Sequence, residues 1–426
     1  MRDLQENQAK EIKNKDIKGL NNIYEQILLA KTRLAGIIHR TPLVYANIFS
    51  ELSGCQVYMK FEQLQKTGSF KIRGAYNKIM TLTDEEKHKG VIASSAGNHA
   101  QGVALAATKA SISSTIVMPE GAPLAKVKAT KGYGADIVLH GKVFDEAYQK
   151  AREIQAETGA TFIHAFDDLQ IVAGQGTIGI ELIEDLPDVD AVLVPVGGGG
   201  LISGIGVAIK QANPKIKVIG VEAEGAASMY VSLKAKKPVA IKEVTTIADG
   251  IALKEPGKLN YEIAEHCMDD LVTVSDEEIA RTMLTLLERN KQMVEPSGAT
   301  ALAALIAENN QALRTQLKGK KVAVILSGGN VDVNLVSMII EQGLMKAGRY
   351  LRFMVSVPDR PGNLQKIIEV LVNQKVNIIS LEHFRVGSRI TLGRTEIEFV
   401  VETIDFDHIK TIKKTLEEKG YTPVIV

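Results

Sequence analysis

Short apolar runs alternate along most of this chain with stretches carrying apolar residues at helical spacing, the pattern of an α/β protein with largely parallel sheets. Candidate strands are Val57–Lys60, Gly90–Ser94, Ser114–Val117, Asp136–Leu139, Ala191–Val196, Val218–Glu222 and Lys321–Leu326. Helical patterns between them include Ala100–Lys109, Val143–Thr158 and Thr177–Glu184. Several strands run directly into glycine-rich turns. Open α/β sheets place ligands at the carboxyl ends of their strands, so a functional centre is expected there. After Leu344–Gly348 the pattern changes. Leu351–Val357 reads as a strand, Gly362–Asn373 as a helix, Asn377–Arg385 and Thr395–Glu402 as strands, Asp405–Lys419 as a helix and Thr422–Val426 as a last strand. That order, βαββαβ, is the ferredoxin-like arrangement. The expected division is a main unit over 1–345, with a smaller subdomain at about 57–165 inserted in a larger one, and a separate module over 350–426.

The 426 residues allow two or three folding units, each with its own core. With 51 basic and 50 acidic residues the net charge is +1, which suggests neither nucleic acid nor a membrane surface as a partner. Cys55 and Cys267 stand far apart without metal-ligand spacing, so no disulfide framework and no metal centre are expected, and a reducing cytoplasm fits. The charged start, MRDLQENQAKEIKNKDIKG, lacks an apolar core segment and is not expected to act as a secretory signal. No stretch is apolar for long enough to span a bilayer, so a soluble cytoplasmic protein is expected.

Candidate chemistry begins at Gly68-Ser69-Phe70-Lys71-Ile72-Arg73-Gly74-Ala75. Between Phe70 and Ile72 a lysine ammonium is poorly solvated, which favours the neutral amine and prepares it to condense with an aldehyde. By itself the segment fits a solvated surface charge better, as most lysines are. Val196 to Leu201 follows an apolar strand, and its consecutive glycines, Gly197, Gly198, Gly199 and Gly200, let backbone approach a phosphate at a helix amino terminus. A plain turn or a nucleotide site would read the same way. Gly174-Gln175-Gly176-Thr177-Ile178-Gly179 matches a dinucleotide fingerprint but follows no convincing strand, and reads as a packing or turn feature.

Ser94-Ser95-Ala96-Gly97-Asn98-His99 lies between a strand and a helix, where hydroxyls, an amide and helix-start N–H groups could receive a carboxylate. Ser95 or Asn98 could instead be a helix cap, and His99 a structural histidine. Ser327, in Ser327-Gly328-Gly329-Asn330, ends a strand; its hydroxyl could bond a pyridine nitrogen or serve a turn. In the second module, Pro358-Asp359-Arg360-Pro361-Gly362-Asn363-Leu364 joins the first strand to the first helix, whose free amides could receive a carboxylate, or which could be only a tight turn.

SFKIRGA, SAGNHAQG, the tetraglycine loop and LSGGN, in this order, closely resemble the threonine (serine) dehydratases, fold-type II pyridoxal-phosphate enzymes with a tryptophan-synthase-β-like α/β fold, over roughly His39 to Gly343. DRPGNL with NIISLEHFR resembles an ACT domain, a regulatory module that commonly binds amino acids. The resemblance implies that Lys71 carries the cofactor aldehyde and Phe70 packs by its ring. It implies Asn98 at the cofactor 3'-oxygen, Gly197 to Gly200 and Leu201 at the phosphate, and Ser327 at the pyridine nitrogen. Ser95, Ala96, Asn98 and His99 fall in the substrate-carboxylate loop, while Gly250 and Glu295 match segments near the cofactor. Dehydration and deamination of L-threonine, and of L-serine, is the activity implied, in isoleucine synthesis or threonine catabolism, with a homodimer or homotetramer binding an effector near Asp359, Arg360, Gly362, Asn363 and Leu364.

Serine racemase shares most of these motifs, but a serine occupies in it the position of Ala96 here, and a methyl group transfers no proton. Its divalent-cation segment corresponds to Glu222 to Ser228, where Ser228 replaces an acidic residue, so a Mg2+ or Ca2+ site is not expected. A non-catalytic amino-acid sensor is a further alternative, and the joint presence of Lys71, the glycine loop and Ser327 argues against it.

Overall fold

The computed structural model describes residues 19–387 and 390–425, which divide into one unit ending at Val331 and a second beginning at Asp332. Most of the charged start, and Val426 of the last expected strand, lie outside the described residues. The first unit contains strands β1 (Leu43–Tyr45), β2 (Gln56–Phe61), β3 (Val91–Ser94), β4 (Ser114–Met118), β5 (Asp136–Leu139), β6 (Thr161–Phe162), β7 (Ala191–Pro195), β8 (Lys217–Ala223), β9 (Asp270–Val274) and β10 (Lys321–Leu326). A six-stranded sheet runs β1-β2-β10-β7-β8-β9, parallel except for β1, and a four-stranded parallel sheet runs β5-β4-β3-β6. Every residue of β7 is buried, as are all but the first of β10. Continuous apolar runs of this kind are what strands need when helices cover both faces of a parallel sheet.

The helix expected over Thr177–Glu184 begins earlier, at Leu169, because the Asp168 carboxylate caps it by accepting from the Gln170 and Ile171 N–H groups. The glycine pattern at Gly174 to Gly179 therefore lies inside a helix and forms no turn. Its role is packing: a Cβ on Gly174 would lie 2.5 Å from the Arg73 carbonyl oxygen, so this helix crosses the Lys71–Met80 helix backbone to backbone. Beneath that crossing Arg73, Lys60 and Glu62 are wholly buried together with Glu181. The Arg73 guanidinium donates to Glu62 at 2.8 Å and to Glu181 at 2.6 Å, and Lys60 pairs with Glu181 at 2.6 Å. Arg73 thereby ties the helix that starts with Lys71 to the end of β2.

In the second unit β11 (Tyr350–Pro358), β12 (Ile378–Phe384), β13 (Arg394–Glu402) and β14 (Val424–Ile425) form an antiparallel sheet in the order β12-β13-β11-β14. Helices Asn363–Asn373 and Phe406–Glu418 complete the βαββαβ order. Buried residues alternate along β11 and β13, and Phe353 stacks on Phe399 across them with ring centroids 5.2 Å apart. The helix Val333–Lys346, read from the sequence as the end of the main unit, groups with this second unit, because it runs into β11 and packs against it. No helix among the described residues is long and apolar enough to cross a membrane.

Candidate active site

Because β10 lies between β2 and β7, parallel to both, segments distant in the chain meet at one edge of the sheet. The Phe70 N–H donates to the Ser327 carbonyl at 3.1 Å, and Ser69 pairs with Gly328 in a single antiparallel bridge. Lys71 thus begins its helix pinned to the end of β10. Beside it opens a cleft of about 780 Å³, bordered by Phe70, Lys71, the Ser94 to His99 loop, Gly197 to Leu201, Asp249 to Ile251, Glu295 and Ser327.

Lys71 Nζ donates to the Ala165 carbonyl at 3.0 Å and lies 5.2 Å from the Phe70 ring centroid. Burial lowers its pKa to about 8, partly offset by the Glu295 carboxylate. About a tenth of the amine is therefore neutral and nucleophilic at pH 7, and about half at pH 8, far more than for a solvated lysine.

Opposite it β7 gives way to the helix Gly200–Ala212, with Gly199 left-handed at φ +88°. The backbone N–H groups of Gly197 to Leu201 have no hydrogen-bond partner among the described residues. Unpaired donors at a helix amino terminus make a receptor for an anion. Phe166 lies directly over this loop: a Cβ on Gly198 would come within 2.5 Å of its ring. Asn260 Nδ2 ties the two together, donating to the Phe166 carbonyl at 3.1 Å and to the Gly198 carbonyl at 2.8 Å.

The Ser94 to His99 loop joins β3 to the helix Asn98–Lys109. Gly97 is the cap residue and no side chain caps the helix; Ser95 Oγ accepts from the Gly97 N–H at 3.2 Å. The N–H groups of Ala96, Asn98 and His99 have no partner among the described residues. Asn98 is the first helical residue, and its amide joins Glu295 and Asn330, each at 2.7 Å. His99 donates from Nε2 to the Ile163 carbonyl at 2.8 Å, and burial followed by the Lys71 charge lowers its pKa to about 3. Burial and that bond hold it as a neutral, tethered ring.

Ser327 is buried, and among the described residues its hydroxyl makes a single long hydrogen bond, 3.5 Å to the Ser297 carbonyl. Glu295 accepts from Asn98 Nδ2 and from Ser297 Oγ at 2.8 Å, and burial, then the Asp249 charge, pushes it up to about 7. Gly250 packs against Ser297, whose Oγ would lie 2.5 Å from a Cβ there. Elsewhere, both Glu222 oxygens accept backbone N–H groups, from Met229 and Tyr230 at 2.8 Å each, and the Ser228 hydroxyl is buried without a partner among the described residues. No group of three or more His, Cys, Asp or Glu side chains suited to a metal is found among the described residues.

In the second unit the Asp359 to Leu364 turn is held by Asn363 Nδ2 donating to the Pro358 carbonyl at 2.8 Å and by an Arg385–Asp359 pair at 3.4 Å. Gly362 is left-handed at φ +90°, and Leu364 packs against the core.

Sequence reasoning gave no role to Ala165 and Phe166, to Asn330 or to Arg73. Asn330 and Arg73 stand inside quoted motifs, whereas no spacing marks Ala165 and Phe166, which reach the cleft only through the meeting of the two sheets.

Residues 34–328 match the family described as pyridoxal-phosphate dependent enzyme. The chain belongs to that family. Residues 351–420 match the ACT domain. An L-threonine ammonia-lyase of Thermotoga maritima is 48% identical over 402 residues, covering 94% of this chain and 99% of that protein. Among solved structures, threonine deaminase isoform 2 of Solanum lycopersicum aligns with TM-score 0.73 and 38% identity over 76% of this chain and 93% of its own. Maize serine racemase aligns with TM-score 0.71 and 37% identity, over 76% and 98%. The cleft of this pyridoxal-phosphate dependent enzyme suits its cofactor: a buried lysine of lowered pKa, a cradle of unpaired amides and a lightly bonded serine face one volume.

Proposed function

We propose that this chain removes water and ammonia from L-threonine to give 2-oxobutanoate, and converts L-serine to pyruvate in the same way. Lys71 Nζ is the observation that carries the proposal: an amine of pKa about 8, hydrogen-bonded to the Ala165 carbonyl, in a cleft bordered by two groups of N–H donors without partners among the described residues. Lys71 would hold the cofactor aldehyde, the N–H groups of Gly197 to Leu201 its phosphate, Asn98 its 3'-oxygen and Ser327 its ring nitrogen, with Phe70 beside the ring. Bound pyridoxal phosphate supplies a sink for the electron pair left at Cα when its proton departs.

The chain's own part is orientation and proton transfer. The N–H groups of Ala96, Asn98 and His99, with Ser95 Oγ, hold the substrate carboxylate and set the Cα–H bond towards Lys71. Once the substrate amine has displaced it from the aldehyde, Lys71 Nζ is free and takes that proton. Returned to the β-hydroxyl, the same proton lets it leave as water, and the resulting enamine tautomerises and hydrolyses to the oxo acid and ammonia. The Ala96 methyl offers no proton for return from the opposite face, which favours elimination over racemisation.

The test is to supply L-threonine and L-serine to the cofactor-loaded protein and measure oxo acids and D-serine. Oxo-acid formation that Lys71→Ala abolishes, together with its visible absorbance, is expected; D-serine outpacing oxo acid would overturn the choice of lyase.

The second unit supports regulation. The N–H groups of Leu364 and Gln365, without a partner among the described residues and beside Asp359, Arg360 and Asn363, would form the effector site, and a homodimer or homotetramer would pair two such units. An R360A/N363A double variant is expected to lose its response to amino-acid effectors, and an unchanged response would remove the site.

A further inference from the structure

A backbone carbonyl can only accept a hydrogen bond, and one carbonyl fixes the polarity of a chain of side chains beside the cleft. Thr67 O lies 2.7 Å from Asn330 Nδ2, which settles which end of that amide is nitrogen. The same Nδ2 donates to Asn98 Oδ1 at 2.7 Å, so both its hydrogens are used and Asn98 must present oxygen to it. The Asn98 nitrogen consequently faces Glu295 Oε1 at 2.7 Å, which also accepts from Ser297 Oγ. One hydrogen of Asn98 Nδ2 is left without a partner among the described residues, and Asn98 borders the cleft. Neighbouring glycines leave room for the chain: a Cβ on Gly328 would lie 2.8 Å from Glu295 Cδ, and one on Gly68 3.0 Å from Asn330 Cγ.

We propose that Asn330 and Glu295 are positioning residues that hold the Asn98 amide with its N–H, and not its carbonyl, towards the 3'-oxygen of the cofactor. This rests on Asn98 being the residue that meets that oxygen. Turned about, the amide would set its N–H against the Asn330 N–H and its oxygen against the Glu295 carboxylate, losing both hydrogen bonds and adding repulsion.

Asn330→Asp tests the polarity. Its carboxylate cannot donate to Thr67 O or Asn98 Oδ1 but can accept from Asn98 Nδ2, which turns the amide. Adding Glu295→Gln then gives the turned Asn98 oxygen a donor, so the double variant partners its amides in the reversed sense. Cofactor affinity, the visible absorbance of the loaded protein and thermal unfolding are measured together. N330D is expected to bind pyridoxal phosphate about tenfold to a hundredfold more weakly with a shifted absorbance maximum. N330D/E295Q is expected to regain thermal stability relative to N330D while affinity and absorbance stay altered. Wild-type affinity and absorbance in N330D, or recovery of all three properties in the double variant, would overturn the proposal. Should N330D not fold, N330A removes the donor without reversing it, and wild-type values in N330A count equally against the proposal. Asn98→Ala separates the two levels. If it leaves absorbance and affinity unchanged, Asn98 does not meet the cofactor; if it alters both while the Asn330 variants do not, only the polarity relay fails.

Discussion

Gly198→Ala should disable the glycine loop by a contact that can be located atom by atom. The added Cβ would lie 2.5 Å from Cδ2 and 2.6 Å from Cδ1 of Phe166. Carbon atoms in contact stand about 3.5–4.0 Å apart, so ring or loop must retreat by roughly 1 Å or more. The ring has little freedom to do so. The Phe166 N–H donates to His164 Nδ1 at 3.3 Å, its carbonyl accepts from Asn260, and its ring meets the His164 ring edge-on at 4.8 Å. Overpacking of this kind costs about 1–3 kcal/mol, and a displacement near 1 Å in a binding loop can lower a rate about a hundredfold. Cofactor titration, thermal unfolding and oxo-acid formation are the assays. Gly198→Ala is expected to bind pyridoxal phosphate weakly, and G198A/F166A to recover binding relative to G198A, since removing the ring removes the clash. Gly132→Ala, where a Cβ would have nothing within 4 Å, is expected to bind as wild type does. Wild-type binding and turnover in Gly198→Ala would refute the steric account.

Other variants probe the surroundings. His99 keeps a pKa of about 3 when folded against 6.5 ordinarily, so the unfolded chain binds the extra proton first. Its contribution to stability is full above pH 6.5 and is lost as the pH falls towards 3, at up to about 1.4 kcal/mol per pH unit. Urea unfolding from pH 5 upward should show a shallower acid slope in His99→Gln, and an equal slope would contradict the buried neutral ring. Arg73→Met strands Glu62 and Glu181 without their guanidinium partner and should cost about 3–5 kcal/mol in the same measurement. A loss near zero would mean that the carboxylates are rehydrated or protonated without penalty. Phe353→Ala should cost about 3–5 kcal/mol in the stability of the second unit, read as earlier proteolysis within that unit. Unchanged protection would exclude the stacked pair as its anchor.

Much of the architecture follows from local chemistry. The apolar runs at Ala191 and Lys321 read as buried strands, and the glycines after Val196 as the loop from such a strand into a helix. The βαββαβ order of the second unit was readable because each amphipathic stretch is long and is punctuated by turn residues. Short elements carried no such mark: β1 and β6 hold too few residues for a period to show, and the start of the Leu169–Asp185 helix was obscured by the glycines within it.

The sequence by itself determined which chemical groups were available: one lysine in apolar company, a run of bare amides, a serine at a strand end, and a methyl at Ala96. Sheet order decided what those groups could become, because placing β10 between β2 and β7 brings Lys71, Ser327 and Gly197 to one cleft. Burial there lowers Lys71 to about 8 and His99 to about 3, separating an amine ready to react from a ring held neutral. Only the tertiary structure could also join Thr67 to Glu295 through Asn330 and Asn98. The direction of each hydrogen bond in that row depends on which atoms stand opposite one another, and this is a property of packing that no residue carries alone.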